Sequence, residues 1–441
     1  MPANRTAIPV GTLAAAITAA ALTAHATAQA DLPMIFVANE GNLEGSVTSM
    51  HVLPSGALQF ADRVITGTRG STSEPCPGCN PYAIDITPSG QFLATTHAAG
   101  DNFGENITVY EVAADGSLTV VEELELAQAG LDIVWLSNDL LAVPLTDLST
   151  TNTVRLFHLD EDNQLTQVGA YPAGGFLTSM ALHPSRRWLY TNDSLANTVR
   201  VFEVVGDTLT LVQTLGIPVY GTGIEVTPNG RFLYAAGGIS AGGHAFAGYA
   251  INPADGTLSA LPGSPFTSPG SSPKGFTVST DSTILYVSHG TDATIRSFLL
   301  DNNGIPTSTG FMFDIGLQGT LREMDTLDGL LFALDDSTAI DGVAGAYSFN
   351  TFGDGSFTPL PGTPVDTQGV SPNDVVAWDA IAGCNAADIA SPFNILDLAD
   401  VQAFIQSFVA QTAPSDIAPP LGVWDLADVQ AFISAFTAGC P

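Results

Sequence analysis

The chain has 441 residues, 45% of them apolar and only 12% charged, with 44 Gly and 28 Pro. That length suits a repeat array or more than one compact domain, and the apolar content excludes disorder. Acids outnumber bases 44 to 11, for a net charge of −33, and Lys274 is the only lysine, so the surface repels phosphate backbones and argues against nucleic-acid binding.

The first segment reads as an export signal. Arg5 precedes an Ala/Leu/Ile-rich stretch from Val10 to Ala26, and Ala28-Gln29-Ala30 matches the small-x-small cleavage pattern. Residues 1–30 are therefore expected to be a secretory signal peptide cleaved after Ala30, which places the mature chain outside a bacterial cell, on its surface or in its periplasm. No other stretch is long and apolar enough to span a bilayer.

Four cysteines suit an oxidising compartment. Cys76 and Cys79 enclose a Pro-Gly pair. A local disulfide is preferred there over a redox or zinc site, because a strand-like run follows and no second ligand pair stands at zinc spacing. Cys384 and Cys440 bracket the last segment and are expected to staple its ends.

Between these landmarks one phrase recurs: an apolar strand, a Pro/Asn/Gly turn, a second apolar strand, a polar loop and an alternating third strand. It reads Tyr82-AIDITPSGQFLATTH, Ser179-MALHPSRRWLYTND and Gly223-IEVTPNGRFLYAAG, with weaker copies at Gly275-FTVSTDSTILYVSH and Leu321-REMDTLDGLLFALD. A copy without the turn proline runs Leu131-DIVWLSNDLLAVPL. Fourth strands open on Asp-Gly or Asn-Gly, as at Asp115, Asp255, Asn303 and Asp354, the chemistry of tight hairpins. Inner strands near 82, 131, 178, 222, 274 and 320 start six four-stranded blades. The seventh is split: Met34-IFVAN opens on a second strand, and Asn373-DVVAWD supplies its inner strand. The reading is an all-β seven-bladed propeller over 31–380, closed by a C-terminal strand. The aromatics Tyr110, Phe157, Phe202, Tyr249, Phe298 and Tyr347 share one repeat position and are assigned to packing between blades.

These turns and strands resemble the lactonase-type propellers, the 6-phosphogluconolactonase-like proteins that shade into YVTN-repeat surface proteins. The resemblance covers roughly 34–379 and implies the fold. Its catalytic members carry Pro-Arg-His before an inner strand and Asn-Glu-Leu after the next. In Gly175-FLTSMALHPSRRWLYTNDS, Leu177, Thr178 and Ser179 stand at the basic positions, and Asp193 replaces the Glu.

Other residues could serve in their stead. Loops on one face gather Glu40, His97, Asp101, Asp147, Asp193, His289, Asp292, Asp335 and Asp336, with Lys274 and Arg322 at inner-strand starts and Glu225 and Glu323 just inside. The pocket candidates are Lys274, Arg322, His97, His289, Asp193 and Glu225: a cation facing carboxylates, with imidazoles as acid/base groups. The plainer reading makes them solvated loop charges or ion pairs. His51 and His244 are read as strand-packing residues of third strands.

The last segment, 384–441, is a duplication offset by 28: Asp388-IASPFNILDLADVQAFIQSF and Asp416-IAPPLGVWDLADVQAFISAF. Its helices carry apolar stripes at Val401, Phe404, Ile405 and Phe408, and at Val429, Phe432, Ile433 and Phe436. It resembles a dockerin of the type ending in Ala-Gly-Cys-Pro. That resemblance implies a docking partner, cohesin-like or another extracellular or envelope protein. It also implies calcium at Asp388, Asp397 and Asp400 and at Asp416, Asp425 and Asp428, although Ala390, Pro392, Ala418 and Pro420 occupy the middle ligand positions. No cofactor is otherwise required.

Two functional readings follow. The first is a secreted or cell-surface binding protein attached through the terminal module, its propeller face presenting a site for a small molecule. The alternative is an extracellular lactone hydrolase acting at the channel mouth.

Overall fold

The computed structural model describes residues 32–71, 74, 76, 78–98, 106–126, 128–146, 152–218, 223–236, 243–315, 321–335, 345–379, 387–389, 396, 398–410, 415, 417 and 424–439. The export segment, Cys384, Cys440, Asp397 and Asp416 lie outside them, as do Asp101, Asp147, Asp336 and the side chain of Arg322.

Among the described residues the strands form seven antiparallel sheets, each running outward from an inner strand. The inner strands are Pro372–Trp378 in blade 1, then Pro81–Ile86, the pieces Ala129–Gly130 and Val134–Trp135, Leu177–Leu182, Ile224–Val226, Pro273–Val278 and Leu321–Leu327 in blades 2 to 7. They start close to where the turn phrases place them. The ring closes as the split blade predicts: Pro372–Trp378 pairs with Met34–Asn39, with Ile35 opposite Ala377 and Val37 opposite Val375. First and last strands therefore share a sheet, and no inner edge stays open. Blade 3, which lacks the turn proline, is the one whose inner strand is broken, at Leu131–Ile133.

The core lies between blades. Trp188, Tyr190 and Val201 of blade 4 pack on Leu233 and Tyr249 of blade 5. Phe246 meets Phe276 and Phe298 across blades 5 and 6 at 5.8 and 5.2 Å. Each such side chain contributes about 1.5–3 kcal/mol by leaving water. One expected packing position moves: the partner of Leu331 is Phe349, as Tyr110 is of Leu93, so Phe349 and not Tyr347 fills the repeat position in blade 7. The run Ala-Tyr-Ser-Phe carries two aromatics two residues apart, and only the strand register decides between them.

The Asp-Gly and Asn-Gly turns also join blades. The carbonyl of Gly256 accepts the Tyr190 hydroxyl at 3.1 Å, and that of Gly304 accepts the Tyr234 hydroxyl at 2.6 Å. Gly256 has φ 71°, and a Cβ there would lie 2.3 Å from Trp188. Glycine is required twice over, by the turn and by the blade beneath it.

Towards the C-terminus lie two helices, α1 (Leu398–Ala410) and α2 (Leu426–Ala438). The duplication is kept in their contacts. Phe404 stacks on Phe432 at 4.1 Å, Asp400 accepts the Ile389 amide at 2.8 Å, and Asp428 accepts that of Ile417 at 2.9 Å. Asp425 and Asp428 form a capping box at the start of α2. The expected stripes are corrected at one position in each copy: Ile405 and Ile433 are both 55% exposed. A residue 100° round from Phe404 or Phe432 falls off the narrow seam that two helices can close. Two helices are what the described residues show of the segment read as dockerin-like.

Candidate active site in the axial channel

Inner strands of all seven blades surround a cavity of about 740 Å³, within the range of ordinary small-molecule sites. Its wall carries six carboxylates in two tiers. Asp85, Glu225 and Asp325 occupy one register position, paired with Ala94, Tyr234 and Phe332. Glu323 and Asp374 stand two residues earlier in their own strands, and Asp132 lies in the break of the blade 3 inner strand, two residues before Val134.

Four of these acids fasten the ring. Asp325 accepts the amide of Thr326 in its own strand and that of Ala377 in the next blade, both at 2.7 Å. Asp374 likewise accepts Val375 and Ile84, both at 2.9 Å. Asp85 accepts Ile86 at 2.9 Å and Trp135 at 2.7 Å, and Asp132 accepts Ile133 and Met180. An aspartate is short enough to fold back onto its own following amide while its second oxygen reaches the neighbouring strand. The latches run without a gap from blade 7 through 1, 2 and 3 to blade 4.

Glu225 occupies the same register position as Asp85 and Asp325 but carries one more methylene. Neither of its oxygens takes part in a latch of this kind, so its carboxyl is left for the cavity. Burial holds it protonated well above the usual carboxylate range, and its charged neighbours Asp325, Glu323 and Asp132 add to the shift. Burial likewise raises Asp132 to about 8, Asp85 to about 7 and Asp325 to about 6, against the pull of the amides each accepts. Asp374 is also raised, by burial and then by Glu323. Two cations share the cavity among the described side chains. Lys274 stands at the start of the blade 6 inner strand. Arg186 sits in the blade 4 turn beyond the opposite end, where its guanidinium donates to the Trp135 carbonyl at 2.8 Å.

Of the residues singled out from sequence, the cavity gathers Lys274, Glu225 and Glu323 and leaves out His97, His289 and Asp193. His97 is fully buried at the end of its second strand, between the Cys79 carbonyl at 3.2 Å and the Thr108 hydroxyl at 3.0 Å. His289 is equally buried, bonded to Ser268 at 2.7 Å and to the Thr294 carbonyl at 3.1 Å. Burial lowers both imidazoles to about 4, so they stay neutral. Asp193 accepts the amides of Gly175, Phe176, Leu195 and Ala196 at 2.7 to 3.1 Å. Asn39 ends its second strand in the same way, bonded to Ser46 and Thr48. These polar residues pin loops. His51 packs as expected, its ring bonded to the Asp115 carbonyl at 3.0 Å, but His244 precedes its strand and bonds the Gly270 carbonyl at 2.7 Å. Cys76 and Cys79 form the expected local disulfide.

Asp85, Asp132, Asp325, Asp374 and Arg186 were not foreseen as channel groups. The signal was partial: Asp85, Asp132 and Asp374 stand among apolar residues in Ala-Ile-Asp-Ile, Leu-Asp-Ile-Val and Asn-Asp-Val-Val, whereas Asp325 lies in the mixed run Glu-Met-Asp-Thr. The described acids of the helical segment, Asp388, Asp400, Asp425 and Asp428, belong to no group of three or more His, Cys, Asp or Glu placed to hold a metal among the described residues. Among those residues, too, no helix is long and apolar enough to cross a membrane.

Residues 25–316 match the family described as lactonase, 7-bladed beta-propeller. The 6-phosphogluconolactonase of Serratia proteamaculans is 29% identical over 177 residues, 37% of this chain and 51% of that protein. The protein of the same name from Erwinia tasmaniensis is 28% identical over 177 residues, 36% of this chain and 50% of that one. The chain thus spans about half the length of these curated relatives. The periplasmic gluconolactonase of Pseudomonas aeruginosa superposes with a TM-score of 0.60 at 18% identity, covering 78% of this chain and 99% of that one. A protein from Lactobacillus plantarum gives 0.60 at 14% identity, covering 79% and 99%. At such identities the solved structures speak for the fold alone.

Proposed function

The chain belongs to the lactonase family of seven-bladed β-propellers, and we propose that it hydrolyses a sugar lactone inside the acidic channel. The relatives favour this reading over a purely scaffolding role. The observation that carries it is Glu225, a channel carboxyl kept protonated and excluded from the latches that employ its aspartate counterparts.

Lactone hydrolysis needs a proton acceptor for the attacking water and a donor for the departing ring oxygen. Asp325, at about 6, is largely ionised at neutral pH, and it is the charged neighbour that acts most on Glu225. In the proposed reaction Asp325 takes the proton of water as its oxygen bonds the carbonyl carbon. Glu225 gives its proton to the ring oxygen as the carbon–oxygen ring bond breaks, and the product is an open hydroxy acid. Lys274, which lines the cavity, would polarise the carbonyl. The test is hydrolysis of glucono-1,5-lactone above its spontaneous rate. Glu225→Gln should lower kcat by about 10²–10⁴-fold with KM little changed, and an unchanged kcat would refute the assignment.

The attachment reading stays a proposal for the remaining segments. The export-like segment 1–30 would carry the chain out of the cytoplasm. The duplicated helices would dock it to an extracellular or envelope protein, supported by matched exposed pairs, Leu398 with Leu426 at 67% and Ile405 with Ile433 at 55%. Calcium at the duplicated acids belongs to the same proposal and is tested by calorimetric titration of the full chain. Asp400 and Asp428 each commit an oxygen to a backbone amide, which narrows the set.

A further inference from the structure

Each blade ends on an outer strand, and the free side of such a strand is a template for another chain unless something blunts it. We infer that the outer strand of blade 4 pairs with the same strand of a second copy of this chain, antiparallel, about a two-fold axis between Leu211 and Val212.

The outer strands of the other blades carry a guard. Blade 1 (Leu58–Thr68) has Asp62 and Arg63 in mid-strand, and blade 2 (Leu118–Glu125) has Glu122, Glu123 and Glu125. In blade 3 (Leu165–Gly174) Pro172 and a second bulge break the edge. In blade 6 (Pro306–Asp314) residues 309–311 bulge opposite Ser297 alone. Blades 5 and 7 have short pieces only, Leu258–Ala260 with Phe266–Thr267 and Phe357–Pro359 with Val365–Asp366. Blade 4 differs. Its strand, Thr208–Gly216, reads Thr-Leu-Thr-Leu-Val-Gln-Thr-Leu-Gly, without a charge or a proline, in a chain of net charge −33. Leu211 and Val212 are 49% and 37% exposed, with Thr210 and Thr214 exposed beside them. Its bulge, at Val212, is of the kind that blades 1 to 3 share.

That bulge fits the strand to a copy of itself. Across it the faces change: Leu209 packs with Phe202 against blade 3, whereas Leu215 packs with Val199 and Val201 against blade 5. By register Thr214 shares the face of Leu209 and Leu211, while Thr208, Thr210, Gln213 and Leu215 share the other. Residues opposed in a sheet must point to one face. Turning a second copy over about the point between Leu211 and Val212 meets this condition. Leu209 then faces Thr214, Thr208 faces Leu215, Thr210 faces Gln213, and the exposed Leu211 and Val212 of both copies gather at the axis. Two acidic chains also repel least here. Glu203, opposite Thr210, is already paired with Arg187 at 2.9 Å. Asp207, just before the strand, would stand about 30 Å from its counterpart, beyond the screening length of about 8 Å. With one such edge per copy the assembly closes at two.

Sedimentation velocity of the full chain, at about 1 to 100 μM and at low and about 1 M salt, reads the assembly directly. The expected result is a monomer–dimer equilibrium that stops at two and tightens with salt, because screening removes the repulsion between two acidic surfaces. Leu211→Lys and Val212→Glu, each with the unfolding midpoint of the native chain, should each weaken the dimer at least about tenfold by setting like charges together at the axis. Mixed in equal parts they should restore it, since the two new charges then face one another. Thr210→Lys, at an exposed position, reads the same weakening if either variant fails to fold. A native chain monomeric throughout, growth beyond two, a dimer indifferent to these substitutions, or a mixture that recovers nothing would overturn the inference.

Discussion

A single methylene separates the latched aspartates from an unlatched carboxyl in this channel. Asp85 and Asp325 are short enough to turn back on the backbone and bind two amides each. Glu225, in the same register, leaves that duty and offers its carboxyl to the cavity. The histidines show the converse: their chemistry is withdrawn by burial and by partners on both ring nitrogens, which keeps His97 and His289 neutral. The turn glycines carry a residue-scale prediction. Gly256→Ala must hold φ 71° with a side chain whose Cβ would lie 2.3 Å from Trp188. The expected cost is about 2–4 kcal/mol, positive φ and overpacking together, read from denaturant midpoints. A loss below about 0.5 kcal/mol would show that the blade contact yields.

At the scale of the element, the latches tie the inner strands of blades 7, 1, 2, 3 and 4 to one another around the channel. They also make stability depend on pH in a stated direction. Asp85, Asp132 and Asp325 have folded values of about 7, 8 and 6 against an ordinary 3.8, so the folded chain holds protons that the unfolded chain has released. Their stabilising share is complete below the unfolded value and is lost as pH rises through the folded values. His97 and His289 act with opposite sign, but only below their ordinary 6.5, which leaves the interval above it to the acids. Unfolding free energy should therefore fall between about pH 6.5 and 8.5, by up to about 1.4 kcal/mol per pH unit for each group titrating. Asp132→Asn should make the decline shallower. A flat or rising profile in the native chain would show that the channel acids are ionised throughout.

For the whole molecule, the fold was readable because propeller repeats write themselves into the text. The turn phrase locates inner strands, and the unpaired run at Met34 with its missing partner at Asn373 gives both the blade number and the closure. The site was only half readable. Strand positions put Glu225, Glu323 and Lys274 near the channel, but the six-carboxylate wall exists only once seven strands from distant parts of the chain meet. Loop histidines drew attention because imidazole is versatile, and nothing in a linear text reveals that the Cys79 and Thr294 carbonyls occupy them. In the duplicated helices, periodicity gave the seam at Phe404 and Phe432 but widened it by one residue, because a two-helix unit closes a narrower face than a full helix stripe.

If hydrolysis takes place in the channel and not at the loop face, a ligand shaped like the substrate must lodge there. In a crystal structure of the full chain soaked with gluconolactam, the lactam is expected inside the channel, its hydroxyls on the acidic wall and its ring within hydrogen-bonding reach of Glu225. A lactam bound among the loops near His97 or His289, with the channel holding only water, would contradict it.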